Sequence, residues 1–177
     1  FAATPPPPGF TVSGGVTDPN LNRGIPGVNV TISKDFSGAP VIQSANTSST
    51  GQFSFSDIPA GNYKVKFTKF GYQDAGIPFS VAGDHSLGSA AMVLEGGGQP
   101  TYENSIEAMM GNYCTHCHRP DSIDAVDPPL RTYTEVSNAG TLSHMRIQDG
   151  TMPPFTTMPD YYKALFDKWR DLSFPEN

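Results

Sequence analysis

The sequence predicts a two-domain protein, in which an N-terminal all-β Greek-key sandwich of about seven strands precedes an all-α domain. Residues 10–95 alternate apolar and polar positions with the period of two that half-buried strands show. A glycine-rich stretch, GGGQP, follows at residues 96–100, and beyond it apolar residues recur at helical spacing. We therefore expect a proline-rich arm at 1–9, a sandwich at 10–95, a linker at 96–100 and a helical domain at 101–177.

Short alternating runs separated by turn residues define the strands of the first domain. The turn signals include DPN, IPG, SG, TG and PAG, and we also expect a turn with a surface histidine at His85. This density of short strands is typical of an antiparallel sandwich. The alternating positions are Phe10 and Val12; Val28, Val30 and Ile32; Phe53 and Phe55; Tyr63, Val65 and Phe67; Phe79 and Val81; and Ala91 and Val93.

Two apolar stripes predict the first and last helices of the second domain, with a proline-rich loop region between them. The first stripe is Ile106, Met109, Met110 and Tyr113, and the second is Tyr161, Leu165, Phe166, Trp169 and Leu172.

The charge is acidic and unevenly distributed. The net charge is −6, with 5 Lys/Arg against 6 Asp/Glu in residues 1–98 and 6 against 11 in residues 99–177. Nucleic-acid binding normally requires a basic patch, so we expect no nucleic-acid partner. No apolar run approaches the ~18 residues of a membrane span, so we expect none in this chain.

The strongest functional signal is the stretch GNYCTHCHRP, which contains the only two cysteines of the chain, Cys114 and Cys117, followed directly by His118. A Cys-x-x-Cys-His sequence is the attachment signature of a c-type haem. A zinc site needs four ligands, and His144 offers at most a fourth. A redox dithiol is expected after a strand in a βαβ unit, whereas this motif follows a predicted helix. The motif therefore predicts one covalent haem c.

The haem interpretation gives each residue of the motif a role. Cys114 and Cys117 form thioether bonds, and His118 is the proximal ligand of the iron. A covalent haem would also supply core to a domain of about 77 residues, which is short of core by itself.

The sixth ligand is expected in the stretch DGTMPPF. Met152 precedes two prolines, which fix the backbone and bias Met152 away from a helix. The alternative distal ligand is His144, because imidazole also binds haem iron, and a third alternative is an open sixth site.

The first domain resembles a known family. The segments GGVTDPNLNRGIPGVNVTI and STGQFSFSDIPAGNYKVKFTKFGYQ are similar to the carboxypeptidase regulatory-like domain. The resemblance covers roughly half of the chain and implies a transthyretin-like sandwich that serves as a scaffold or adhesion unit. The matching positions are Gly51, Phe53, Phe55, Ile58, Pro59, Gly61, Tyr63, Val65, Gly71 and Tyr72.

Residues 101–177 resemble small class I cytochromes c, through CTHCH, the Pro128-Pro129 loop, TMPPF and the closing helix LFDKWRDL. In that family the first and last helices cross near an aromatic side chain, a role that Trp169 and Leu165 match. The resemblance implies a periplasmic or extracellular bacterial electron carrier rather than an enzyme. Its partners would be redox proteins or neighbouring copies of itself.

The sequence is also compatible with three other functions. A polymeric extracellular assembly would use the sandwich to align haems along an electron path. A peroxidase-like enzyme or a gas sensor would instead need an open sixth site on the iron.

Overall fold

The computed structural model describes residues 9–96, 98–121 and 125–177. The described residues divide into two compact units. The first contains the residues up to Lys69 together with Gln73–Met92, and the second contains Phe70–Tyr72 and the residues from Val93 onwards. The expected arm lies outside the described residues except for Gly9. The expected 96–100 boundary stays a prediction.

The first unit is a β-sandwich of two four-stranded sheets. In one sheet β1 pairs with β2 and β5 in antiparallel fashion and with β8 in parallel fashion. The other sheet has the order β4-β3-β6-β7 and is antiparallel throughout. The strands are β1 Phe10–Asp18, β2 Arg23–Gly24, β3 Asn29–Lys34, β4 Val41–Asn46, β5 Gln52–Ile58, β6 Gly61–Thr68, β7 Ala75–Val81 and β8 His85–Ala91.

The predicted alternation places the core along β6, but it was wrong at Ala91 and Val93: Ala91 is exposed, and the buried residues there are Ala90 and Met92. Along β6, Tyr63, Val65 and Phe67 are fully buried, while the residues between them are exposed. Phe53 of β5 meets Phe67 edge to face, with ring centroids 5.7 Å apart. An apolar residue at every second position therefore buries one face of β6.

The structure has eight strands in its described part, and the sequence prediction differs from it at β2, β4 and β8. Strand β4 is an edge strand with no buried residue. Its apolar residues Val41 and Ile42 are 58% and 42% exposed, so burial imposes no alternation on it. The expectation of a turn at His85 was wrong: His85 begins β8 and its ring stacks on Phe79, with centroids 5.5 Å apart.

The second unit contains four short α-helices in its described residues: α1 Glu107–Tyr113, α2 Tyr133–Asn138, α3 Gly140–Gln148 and α4 Asp160–Asp171. A π-helical turn, Tyr102–Ile106, leads directly into α1, and the Thr101 and Asn104 side chains cap its start reciprocally. None of these helices is long and apolar enough to cross a membrane.

The two predicted stripes are the buried faces of the first and last helices. Met109 and Met110 of α1 are buried, as are Leu165 and Trp169 of α4. The expectation for Leu172 was wrong, because this residue follows the last turn of α4 and is 38% exposed.

The loop expected between the two stripes was wrong in part, because α2 and α3 lie within it. Helix α2 has one buried residue, Val136, and α3 has two, Gly140 and Ile147, so neither shows an apolar stripe. The start of α2 carries a local signal that the apolar pattern lacks: Thr132 and Glu135 form a capping box, TYTE.

Candidate functional site

The Cys-x-x-Cys-His motif lines a large cavity within the helical unit. The volume of the cavity is about 880 Å³, at the upper end of the range for small-molecule and cofactor pockets. Cys114, Cys117, His118 and Met152 all line it, although 33 residues separate His118 from Met152 in the sequence. Much of the remaining wall is apolar and includes Val126, Pro128, Leu130, Leu142, Ile147, Pro153, Pro154 and Phe155.

The end of α1 positions the motif. The Cys114 N–H donates to the Met110 carbonyl at 2.8 Å and thereby closes the helix. The Cys114 carbonyl then accepts hydrogen bonds from the N–H groups of Cys117 (3.2 Å) and His118 (3.0 Å). This compact turn brings Cys114, Cys117 and His118 together at the lining of the cavity.

The imidazole of His118 is held in one tautomer. Its Nδ1 lies 2.9 Å from the Pro128 carbonyl oxygen, which can only accept a hydrogen bond, so Nδ1 carries the proton. The lone pair of the ring is therefore on Nε2, the atom that binds a metal when a hydrogen bond to Nδ1 orients the ring.

Backbone hydrogen bonds hold the described part of the loop that supplies Pro128 against the motif. The N–H of Val126 donates to the Cys117 carbonyl at 3.1 Å, and the N–H of Leu130 donates to the His118 carbonyl at 2.9 Å. The carbonyl that orients His118 is thus fixed from both sides.

The turn after α3 presents Met152. The Met152 N–H donates to the Arg146 carbonyl at 3.0 Å, and the Asp149 carboxylate accepts from the Thr151 N–H at 2.9 Å. Hydrogen bonds from the side chain and backbone of Thr151, aided by the charge of Arg146, lower the pKa of Asp149. The carboxylate that orders this turn is therefore ionised at neutral pH.

The other candidates for a distal ligand lie elsewhere. Met145 is 58% exposed and Met158 is buried, and neither lines the cavity. His144 also lies outside the cavity lining. Its Nε2 hydrogen-bonds to Asp167 and its Nδ1 lies 3.0 Å from the Arg170 guanidinium, so both ring nitrogens have partners within the protein.

The Cys114 thiol does not resemble the reactive thiol of a redox dithiol. Burial raises the pKa of Cys114 to about 11, so this thiol stays protonated at neutral pH. Dithiol oxidoreductases depend on a lowered thiol pKa. Among the described residues, no group of three or more His, Cys, Asp or Glu side chains is placed to hold a metal ion, so the zinc interpretation gains no support there.

Sequence reasoning missed the part of the wall that α3 supplies, namely Leu142, Ser143, Arg146 and Ile147. The capping box at Thr132 and Glu135 is a sequence signal for the start of a helix, so it could have predicted α2 within the segment that was expected to be a loop. The contribution of Pro128 acts through a main-chain carbonyl, for which residue types give no signal.

Comparison with known proteins assigns the first unit. Residues 11–93 match the family described as carboxypeptidase regulatory-like domain. Colossin-A from Dictyostelium discoideum is 31% identical over 90 residues, which are 48% of this chain but 1% of that protein. The chain therefore spans a very small part of this curated relative.

Three solved structures resemble about half of this chain. A mutant type II cohesin–X-dockerin complex from Acetivibrio cellulolyticus is 30% identical with a TM-score of 0.40, covering 49% of this chain and 58% of that one. The 5-hydroxyisourate hydrolase of Klebsiella pneumoniae is 20% identical with a TM-score of 0.37, covering 46% and 84%. Transthyretin from Sparus aurata is 18% identical with a TM-score of 0.37, covering 44% and 84%.

The family match ends at residue 93 and assigns no family to the helical unit. The outcome agrees with the resemblance seen in the sequence of the first domain: residues 11–93 form a carboxypeptidase regulatory-like β-sandwich domain.

Proposed function

We propose that the helical unit is a class I-like cytochrome c domain, which binds one haem c covalently and acts as a one-electron carrier. The observation that carries this proposal is the shared cavity: two thiols, an oriented imidazole and a methionine, drawn from two distant segments, all line it.

The residues of the cavity fit a haem. Cys114 and Cys117 would hold it through thioether bonds, and the Nε2 lone pair of His118 would bind the iron. The apolar wall suits the macrocycle, and the volume of about 880 Å³ is large enough for a cofactor of that class. When bound, a haem supplies one-electron Fe(II)/Fe(III) chemistry.

The position of Met152 favours a carrier over an enzyme or a gas sensor. Hydrogen bonds at Asp149, Thr151 and Met152 order the turn, so the Met152 thioether would be held in place as a second protein ligand for the iron of a bound haem. A second protein ligand would occupy the position that a peroxidase or a sensor leaves open for rapid binding of its substrate. Methionine–histidine ligation also raises the reduction potential.

The role of the sandwich and the location follow from the same proposal. Haem c is attached outside the cytoplasm, so the protein would be periplasmic or extracellular. The carboxypeptidase regulatory-like domain would then position or dock the carrier near a redox partner or near further copies of the chain.

The edge strand β4 favours a second candidate, a polymeric assembly with an electron path along it. Val41 and Ile42 are exposed on this edge, and exposed edges invite strand pairing between molecules. An Ile42→Lys substitution should then abolish any oligomer seen by size-exclusion chromatography; an unchanged oligomer would exclude this edge as the contact.

Substitution of Met152 tests the carrier function. Met152→Ala should abolish the weak sulfur-to-iron absorption band of the ferric protein, lower the potential and admit carbon monoxide to the ferrous iron. The matched control is Met145→Ala, which removes an exposed methionine of the preceding helix and should leave the band intact.

A different outcome would identify another ligand. If His144→Ala changes the spectrum while Met152→Ala does not, the haem has two histidine ligands. If the unsubstituted protein is high-spin and binds carbon monoxide rapidly, the site is open and the protein is an enzyme or a sensor.

A further inference from the structure

Four of the seven tyrosines of the chain form a continuous series that starts at the wall of the cavity. Tyr113 lines the cavity, and its ring centroid lies 5.2 Å from that of Tyr162. Tyr162 packs edge to face on Tyr161 at 5.0 Å, and the Tyr161 hydroxyl hydrogen-bonds to the Tyr72 hydroxyl. Tyr72 belongs to the segment Phe70–Tyr72 of the helical unit.

The series runs inwards from the cavity. Tyr113 and Tyr162 are half-buried, whereas Tyr161 and Tyr72 are 2% and 4% exposed. Burial raises the pKa of Tyr113, and burial followed by the charge of Tyr113 raises the pKa of Tyr162 to about 12. Tyr113 and Tyr162 therefore keep their phenolic protons at neutral pH, so an electron that leaves one of these two side chains leaves together with its proton.

We propose that this tyrosine series removes oxidising equivalents from a haem held in the cavity when hydrogen peroxide oxidises it. The inference rests on the proposed function, because it requires the haem. It adds a second activity, protection of the cofactor, to electron transfer.

The electrons and atoms balance without a further reactant. One molecule of hydrogen peroxide gains two electrons and two protons and becomes two molecules of water. Two tyrosines each supply one electron and one phenolic proton and become neutral tyrosyl radicals. The hydroxyl pair of Tyr161 and Tyr72 gives the inner end of the series a hydrogen-bonded path for the proton.

Packing alone does not call for tyrosine at these positions. The helical unit fills its other core with Phe166, Trp169 and Phe174, whose rings contact one another at 4.9 to 5.3 Å. A second tyrosine pair, Tyr102 and Tyr133, lies 5.8 Å apart, and neither member lines the cavity. Tyr102 and Tyr133 are therefore tyrosines of the same unit that do not belong to the series starting at the cavity, so a substitution in this pair serves as the control.

The test compares Tyr162→Phe with Tyr133→Phe in the full-length, haem-bearing chain. The first change keeps the aromatic ring but removes the phenol from the second link of the series. The second removes a phenol that donates to the Phe174 carbonyl at 3.0 Å outside the series. After addition of hydrogen peroxide, freeze-quench EPR measures tyrosyl radical and the Soret absorbance measures loss of haem.

We expect a tyrosyl signal in the unsubstituted protein, a several-fold smaller signal with faster loss of haem in Tyr162→Phe, and no change in Tyr133→Phe. The proposal is overturned if the haem-bearing protein forms no tyrosyl radical, if Tyr162→Phe matches the unsubstituted protein, or if Tyr133→Phe matches Tyr162→Phe. The Soret absorbance before peroxide is added shows whether the chain carries haem. A purified chain without covalent haem would refute the proposed function and therefore this inference as well.

Discussion

Gly51 lies where the sandwich tolerates no side chain, which makes Gly51→Ala a sharp test of the fold. Its φ of +80° lies in the left-handed region. A Cβ atom there would lie 2.5 Å from the Val16 carbonyl oxygen and 2.7 Å from the Gly24 Cα, both in the backbone of β1 and β2. Neither atom can move without disturbing the sheet.

The matched control is Gly38→Ala, because Gly38 has a similar φ of +76° and no atom within 4 Å of an added Cβ. A non-glycine residue in the left-handed region destabilises the native state by about 1–2 kcal/mol. Alanine also restricts the unfolded chain, which stabilises the protein by about 0.4–1 kcal/mol and offsets part of this cost. Gly38→Ala should therefore destabilise the sandwich by about 1 kcal/mol.

Gly51→Ala adds the steric conflict to this conformational cost. Forced overpacking typically costs about 1–3 kcal/mol, so we expect a total of about 2–4 kcal/mol. The Val16 N–H donates to the Gly51 carbonyl at 2.8 Å, and the Val16 carbonyl accepts from Ile25 at 2.9 Å, so a backbone shift would also weaken these bonds.

The assay is urea unfolding with pulsed hydrogen exchange read on peptides of β1 and β5, because the single tryptophan, Trp169, lies in the helical unit and does not report on the sandwich. The unfolding midpoint should fall by about 1–2 M more in Gly51→Ala than in Gly38→Ala. Equal destabilisation by the two substitutions would refute the steric argument.

Three further predictions concern the helical unit. Asn104→Ala should increase protease cleavage within residues 96–100, because the Asn104 amide donates to the Gln99 carbonyl at 2.9 Å and accepts from the Thr101 N–H at 2.8 Å; unchanged cleavage would contradict this role. Glu135→Ala should lower the Tm followed by circular dichroism at neutral pH. Hydrogen bonds from the backbone of Arg131 and Thr132 lower the pKa of Glu135 below 4.5, so the stabilisation by its carboxylate is lost as the pH falls through that lowered pKa. The difference in Tm between Glu135→Ala and the unsubstituted protein should therefore vanish at low pH. A Tm difference that does not depend on pH would contradict this argument. Trp169→Phe removes buried volume and the hydrogen bond from the indole N–H to the Pro175 carbonyl, which is 2.8 Å long. It should lower the free energy of unfolding in urea by about 2–3 kcal/mol. An unchanged free energy of unfolding would exclude this role of Trp169.

The predictable parts of the fold are those in which burial imposes a period on the sequence. Strand β6 and helix α4 each bury one face, so Tyr63 and Phe67, and likewise Leu165 and Trp169, recur at the spacing of their element. Strand β4 buries nothing and helix α3 buries only Gly140 and Ile147, so no period marks them.

The same distinction applies to the site. Residue types and spacing predicted Cys114, Cys117 and His118 as site residues, and the proline-flanked sequence predicted Met152. The structure brings all four to one cavity. The Pro128 carbonyl that orients His118 could not be predicted from the sequence, because every residue has a main-chain carbonyl and residue types do not mark which one accepts a hydrogen bond. The partners that occupy His144 come from α4 and depend on helix packing, which spacing along the chain does not reveal.

Covalent attachment of the haem is the central claim, and the intact mass of the purified chain tests it most directly. We predict a mass increase of one haem that survives extraction with acidified acetone and is lost in a Cys114→Ser, Cys117→Ser double variant. A chain of unmodified mass, or a haem that extracts freely from the unsubstituted protein, would contradict the account.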